Sequence, residues 1–150
     1  ENIDSIDLNQ TISIDGLEVN AIPAAHEEIK YDEKGNIATI GYQLNFSGLT
    51  LYHSGDTIFC KELKENKLLR NVDVALLPIN GRGKRVSGNL WGQEAAKLAK
   101  TIHAKLTVPM HFNMFENNTE TPDAFMEEAN SNGVDFKILK VGESVVVKKK

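Results

Sequence analysis

Apolar and polar positions alternate through the first third of the chain, and from there on apolar runs are separated by stretches of helical spacing. Thr11–Ile14 and Leu17–Ile22 flank Asp15-Gly16, a two-residue hairpin signal between two strands. Glu27–Asn36 is polar, with a turn predicted at Lys34-Gly35-Asn36. Ile40–Phe46 reads as a strand that Ser47-Gly48 turns into Leu49–His53. The pattern then predicts a helix from Thr57 to Leu69, a strand over Val72–Ile79, and a helix carrying Trp91, Ala95, Leu98, Ala99 and Ile102 on one face. Leu106–Pro109 is a further strand. Thr121-Pro122 is an N-cap followed by proline, and Gly133 stands where that helix would end. Phe136–Leu139 and Ser144–Val147 are predicted as closing strands, with Lys148–Lys150 a solvated tail.

Strands first and βαβ alternation afterwards imply an α/β layered fold: a mixed β-sheet with helices on one outer face. At 150 residues the chain has room for one core, and 41% hydrophobic with 25% charged residues is ordinary for a globular domain. A formal net charge of −4 argues against general nucleic-acid binding. No apolar run reaches the ~20 residues that span a bilayer, and the polar, acidic Glu1-Asn-Ile-Asp start is unlike a secretory signal. One cysteine, Cys60, rules out an internal disulfide and fits a reducing, cytoplasmic setting.

Three strand ends carry side chains able to bind metal. His26 follows Leu17–Pro23, Asp56 follows Leu49–His53, and His111 follows Leu106–Pro109. Loops at the carboxyl ends of strands are where layered α/β proteins collect ligands and catalytic groups. Gly55 would let the backbone turn tightly and aim the Asp56 carboxylate; the alternative is an N-cap for a helix beginning at Thr57. His111 and His26 suit a metal nitrogen ligand; the alternative for each is the commoner one for a lone histidine, a hydrogen-bonded structural residue. Alternation places His53 as support for the ligands rather than as one of them. His103 is expected at a helix C-terminus and Cys60 in helix packing. The loop Asn80–Asn89 holds three glycines and three basic residues directly after a strand. Arg82, Lys84 and Arg85 could form an anion site there, or a solvated loop.

Leu51-Tyr-His-Ser-Gly-Asp-Thr57, Val72-Asp-Val-Ala-Leu-Leu-Pro-Ile-Asn80 and Val108-Pro-Met-His-Phe-Asn-Met-Phe115 together resemble motifs of the metallo-β-lactamase-fold hydrolases. With Ile79-Asn-Gly-Arg82, Gly88-Asn89 and Asn118-Thr-Glu-Thr-Pro122, they look most like the branch related to L-ascorbate-6-phosphate lactonase, over about Leu8 to Val147. The resemblance implies an αββα sandwich with His26, Asp56 and His111 as metal ligands, Asp56 bridging two divalent ions (Zn or Mn). Asp56 and His111 would form the catalytic centre, and His53 and Asn113 would support it. Asn80, Arg82 and Asn89 would hold a small anionic lactone or ester, such as a sugar-phosphate lactone, for attack by metal-bound hydroxide. The family's His-x-His-x-Asp-His motif is absent, since the histidines are His26, His53, His103 and His111. The expectation is therefore that residues 1–150 form the carboxyl-terminal half of the domain, inactive alone, and that the missing half or a second copy covers its exposed surface. The rival expectations are a phosphodiesterase of the same fold and a non-catalytic interaction module that has lost its metal. Neither a nucleic acid nor a membrane is expected as a partner.

Overall fold

The computed structural model describes residues 5–82, 88–116 and 119–148. The hairpin predicted at Asp15-Gly16 forms as expected, both residues taking positive φ (49° and 85°) between β1 (Thr11–Ile14) and β2 (Leu17–Pro23). β3 (Ile40–Phe46) and β4 (Leu49–His53) follow, each antiparallel to its neighbour. β5 (Val74–Pro78) and β6 (Thr107–Met110) then join in parallel, giving a mixed sheet in the order β1-β2-β3-β4-β5-β6. Two antiparallel steps separate β2 from β4, so β2, β4, β5 and β6 all run the same way. Their carboxyl ends share one edge of the sheet, and His26, Asp56, Asn80 and His111 each lie just past one of those ends.

Cross-strand register sorts the two faces. Asn20, Gln43, Tyr52, Ala75 and Thr107 stand side by side across β2 to β6 and are all buried. This face carries the core, where Ile22, Tyr52, Leu77 and Ile79 pack with Leu63, Leu98, Ile102 and Phe125 from the helices. Its buried amides are satisfied: Gln43 Nε2 donates to the Leu68 carbonyl at 2.8 Å, and Asn20 Nδ2 donates to Gln43 Oε1 at 2.9 Å. On the other face Tyr42, His53, Leu76 and Val108 form the matching row. The described residues place no helix there. An apolar groove of about 310 Å³ runs along it, bounded by Leu51, Leu76 and Val108 on the sheet and by Leu139, Val145 and Val147.

The helix predicted from Thr57 to Leu69 is reduced to one turn and a half, α1 (Lys61–Glu65). Residues 57 and 58 are committed elsewhere. The buried Thr57 hydroxyl accepts the Ala25 N–H at 3.0 Å, and Ile58 N–H donates to the Ala25 carbonyl at 2.8 Å. Beyond α1, Asn66 Oδ1 accepts the Leu68 N–H and turns the chain away. α2 (Gly92–Thr101) forms where periodicity predicts it, and α3 (Asp123–Asn132) where the end signals do, except that Pro122 rather than Thr121 is the N-cap; Gly133 takes the left-handed cap conformation at φ 65°.

The two closing strands do not form. Residue 136 makes a single bridge to Thr107, with Thr107 N–H donating to the Asp135 carbonyl and Lys137 N–H to the Thr107 carbonyl. After that the chain leaves the edge of β6, and Leu139, Val145 and Val147 reach the apolar groove by side-chain contact. Valine content favours a strand where a free edge supplies hydrogen-bond partners, and residues 144–147 pair with none among the described residues.

Candidate metal centre

Two of the three expected ligands converge. His111 Nε2 lies 3.5 Å from Asp56 Oδ1, with both side chains roughly two-fifths exposed. The sequence gap between them is closed by the parallel pairing of β4, β5 and β6. Asp56 is not a helix cap, because α1 begins only at Lys61. Its direction comes from Gly55, at φ 63°, whose N–H donates to His53 Nδ1 at 3.1 Å. His53 therefore acts on the turn that presents Asp56 and faces away from the helices. His111 is itself in the left-handed region, at φ 57°, as is Asn113 at φ 52°. For a side chain larger than glycine this conformation persists where surrounding contacts enforce it, and it clusters at functional sites. Asn113 N–H donates to the Glu120 carbonyl at 3.2 Å, which ties the loop after β6 back on itself.

His26 is half-buried at the same edge, and the pairing of Ala25 with Thr57 and Ile58 holds its segment against the one that carries Asp56. Even so, no group of three or more His, Cys, Asp or Glu close enough to hold a metal occurs among the described residues. An imidazole nitrogen and a carboxylate oxygen are the right donors for a divalent transition ion. As a pair they fit part of a coordination shell, and the described residues do not complete it.

Asn80 and Asn89 are buried beside this edge, Asn89 Nδ2 donating to Asn80 Oδ1 at 2.9 Å. Arg82, expected to meet an anion, is engaged within the protein. Its two Nη atoms donate to the two Glu94 carboxylate oxygens at 2.6 Å each, and Nη1 also donates to the Asn89 carbonyl at 3.1 Å. Lys84, Arg85 and Asn118 lie outside the described residues. His103 is exposed just past α2. Cys60 is half-buried against the core and burial pushes its thiol up, the opposite of what a reactive thiolate needs. Glu94 is the residue that local reading missed. The signal was present, since a Glu three residues after position 91 matches the back-bonding of a capping box, and its Oε2 does accept the Trp91 N–H at 3.0 Å.

Partial burial pushes the Glu94 carboxyl up, but hydrogen bonds from Arg82 and Trp91 outweigh it and hold the group below its ordinary value of 4.5. A carboxyl lowered on folding contributes stability that is complete above its unfolded pKa and is lost as pH falls through the lower folded value. The stability difference between the native chain and Glu94→Gln should therefore be constant above about pH 5 and shrink below pH 4.5. Urea unfolding of both proteins across that range checks this.

A mixed sheet with helices on one face and His/Asp donors at the strand ends defines an α/β metallo-β-lactamase-like fold. Residues 1–112 match the family model described as the β-lactamase superfamily domain, and the chain belongs to that family. It is similar to a UPF0173 metal-dependent hydrolase of Methanopyrus kandleri, 32% identical over 150 residues that make up 96% of this chain and 63% of the relative. One from Archaeoglobus fulgidus is 31% identical over 145 residues, 93% of this chain and 61% of the relative. The chain thus spans about three-fifths of the length of these relatives. Among solved structures it resembles Igni18, described as a novel metallo hydrolase from Ignicoccus hospitalis, with TM-score 0.79 and 26% identity over 98% of this chain and 61% of that one. The metallo-β-lactamase fold protein YhfI from Bacillus subtilis shares the fold, with TM-score 0.69 and 15% identity over 92% of this chain and 53% of that one. Among the described residues no helix is long and apolar enough to cross a membrane.

Proposed function

We propose that the intact protein is a metal-dependent hydrolase in which Asp56 and His111, with His26 as third donor, form part of a site for divalent ions. The observation that carries this reading is the approach of Asp56 to His111 across two strand ends, within reach of a single cation. Two ions per protein, Zn or Mn, fit a carboxylate placed to bridge. Donors outside the described residues complete the shell, as the greater length of the relatives allows. When bound, such an ion lowers the pKa of coordinated water and polarises the scissile bond.

The substrate class we propose is a small anionic lactone or ester, a sugar-phosphate lactone among them, as in the lactonase-related branch. Asn80 and Asn89 would orient it from the loop beside the site, and Arg82 would act by holding that loop. A phosphodiesterase of the same fold is the rival, and activity on bis-p-nitrophenyl phosphate against a lactone panel separates the two. The interaction-module reading draws support from the incomplete donor group among the described residues. In either case we propose that the apolar sheet face bearing Leu44, Leu51 and Leu76 is covered in the intact protein, by more of the same domain or by a second copy.

Plasma mass spectrometry tests the metal directly. About two ions per chain are expected in a protein of the relatives' full length, and little in residues 1–150 alone. No metal in either would end the hydrolase reading and leave the interaction module.

A further inference from the structure

We infer that Glu94 is a positioning residue, which through Arg82 and Asn89 holds the Gly88 backbone as a wall against the imidazole of His26. The inference rests on the reading of His26 as a metal donor, but its geometry is independent of any ion. One carboxylate ties together both arms of the loop and the start of α2. Glu94 Oε1 and Oε2 take the Arg82 fork at 2.6 Å, and Oε2 also accepts the Trp91 N–H at 3.0 Å. Arg82 Nη1 reaches across to the Asn89 carbonyl at 3.1 Å. A planar guanidinium held at both prongs fixes direction as well as distance.

Next to Asn89, Gly88 adopts φ +94°, and a Cβ placed on it would fall 2.7 Å from His26 Nδ1 and 2.6 Å from the Glu27 nitrogen. No side chain fits in that gap, so the bare backbone lies against the Cγ–Nδ1 side of the ring. Nδ1 and Cγ are the ring atoms closest to it, so the wall bears on the side of the ring that carries Nδ1. The loop is not held there by its own comfort. Glu27, opposite the wall, is left-handed at φ 74°, and Asn89 Oδ1 is buried with no hydrogen-bond partner among the described residues. Strained or unsatisfied groups persist where their surroundings over-determine them. Backbone bonds between Gly81 and Leu90 and between Asn89 and Gly81 close the base of the loop, and the Glu94–Arg82 pair adds the charged side-chain fastening to it.

The test uses the intact protein and two readouts: the imidazole 15N resonances of His26, with exposed His103 as internal control, and Zn²⁺ affinity by competition titration. Glu94→Gln removes the charge that grips the fork, and Gly88→Ala intrudes on the ring with the ion pair intact. Both should move the His26 resonances, leave those of His103 in place, and weaken Zn²⁺ binding about 10- to 100-fold, the usual effect of losing a ligand's outer support. Arg82→Lys keeps the charge but loses the fork, and it carries the same readout if Glu94→Gln does not fold. His26 resonances superimposable on the native ones in these variants would overturn the inference, whatever Zn²⁺ does. A moved His26 in a protein that binds no Zn²⁺ even in native form would uphold the positioning role and remove the metal reading.

Discussion

Replacing Asp56 by alanine in the intact protein should lower hydrolysis about a thousandfold, equivalent to ~4 kcal/mol of lost transition-state stabilisation, while the protein unfolds at its native temperature. The separation of the two effects follows from where the side chain sits. Asp56 is 44% exposed and caps no helix, and His111 Nε2 lies 3.5 Å from its carboxylate. Truncation therefore opens no cavity and strands no buried donor, the usual sources of large destabilisation. What it removes is the carboxylate placed to meet a cation. Metal content measured alongside activity should fall with it. Asp56→Asn, which keeps the shape and loses the charge, should fall between native and alanine in metal affinity. Full activity in Asp56→Ala would exclude this residue from the site and leave His111 without its partner.

The convergence of Asp56 and His111 was legible in the sequence because it depends on strand ends rather than on local detail. Alternation located the strands, and the parallel run of β4, β5 and β6 brings their carboxyl ends to one edge. Two features were not legible, for a common reason. The segment after Asp56 looks helical by composition, but the Thr57 hydroxyl and Ile58 N–H are claimed by Ala25, a partner more than thirty residues away. Arg82 looks free to bind an anion, but Glu94 claims it from the first turn of α2. In both cases a long-range hydrogen bond overrides a local preference worth a fraction of a kcal/mol per residue. The valines at 145 and 147 show the converse. Their β-preference is real, but they pair with no strand edge among the described residues, and they contribute apolar contact to the groove instead.

The second large effect is expected in the core between the two long helices. Phe125→Ala should cost about 3–5 kcal/mol, a sizeable share of the ~5–15 kcal/mol that stabilises a domain of this size. Phe125 is fully buried, meets Phe136 edge-on at 5.5 Å between ring centres, and belongs to the cluster that joins both long helices to the sheet. Its backbone also lies close under the start of α2. A Cβ on Gly92 would fall 2.6 Å from the Phe125 nitrogen, so the two helices approach at a point where only glycine fits. Removing the ring leaves a void that this close contact prevents the helices from closing, which puts the cost at the upper end of the range. Urea unfolding should show a lowered midpoint with an unchanged slope, because the surface exposed on unfolding hardly alters. Phe125→Leu should recover roughly half of the loss by refilling part of the volume. In the folded fraction of Phe125→Ala, Zn²⁺ affinity should match the native protein, since Glu94 holds the loop through Arg82 and the Trp91 N–H rather than through α3. A parallel fall in affinity would mean that the packing of α3 against α2 also sets the position of Glu94, which would make the core beneath Gly92 part of the support of the site.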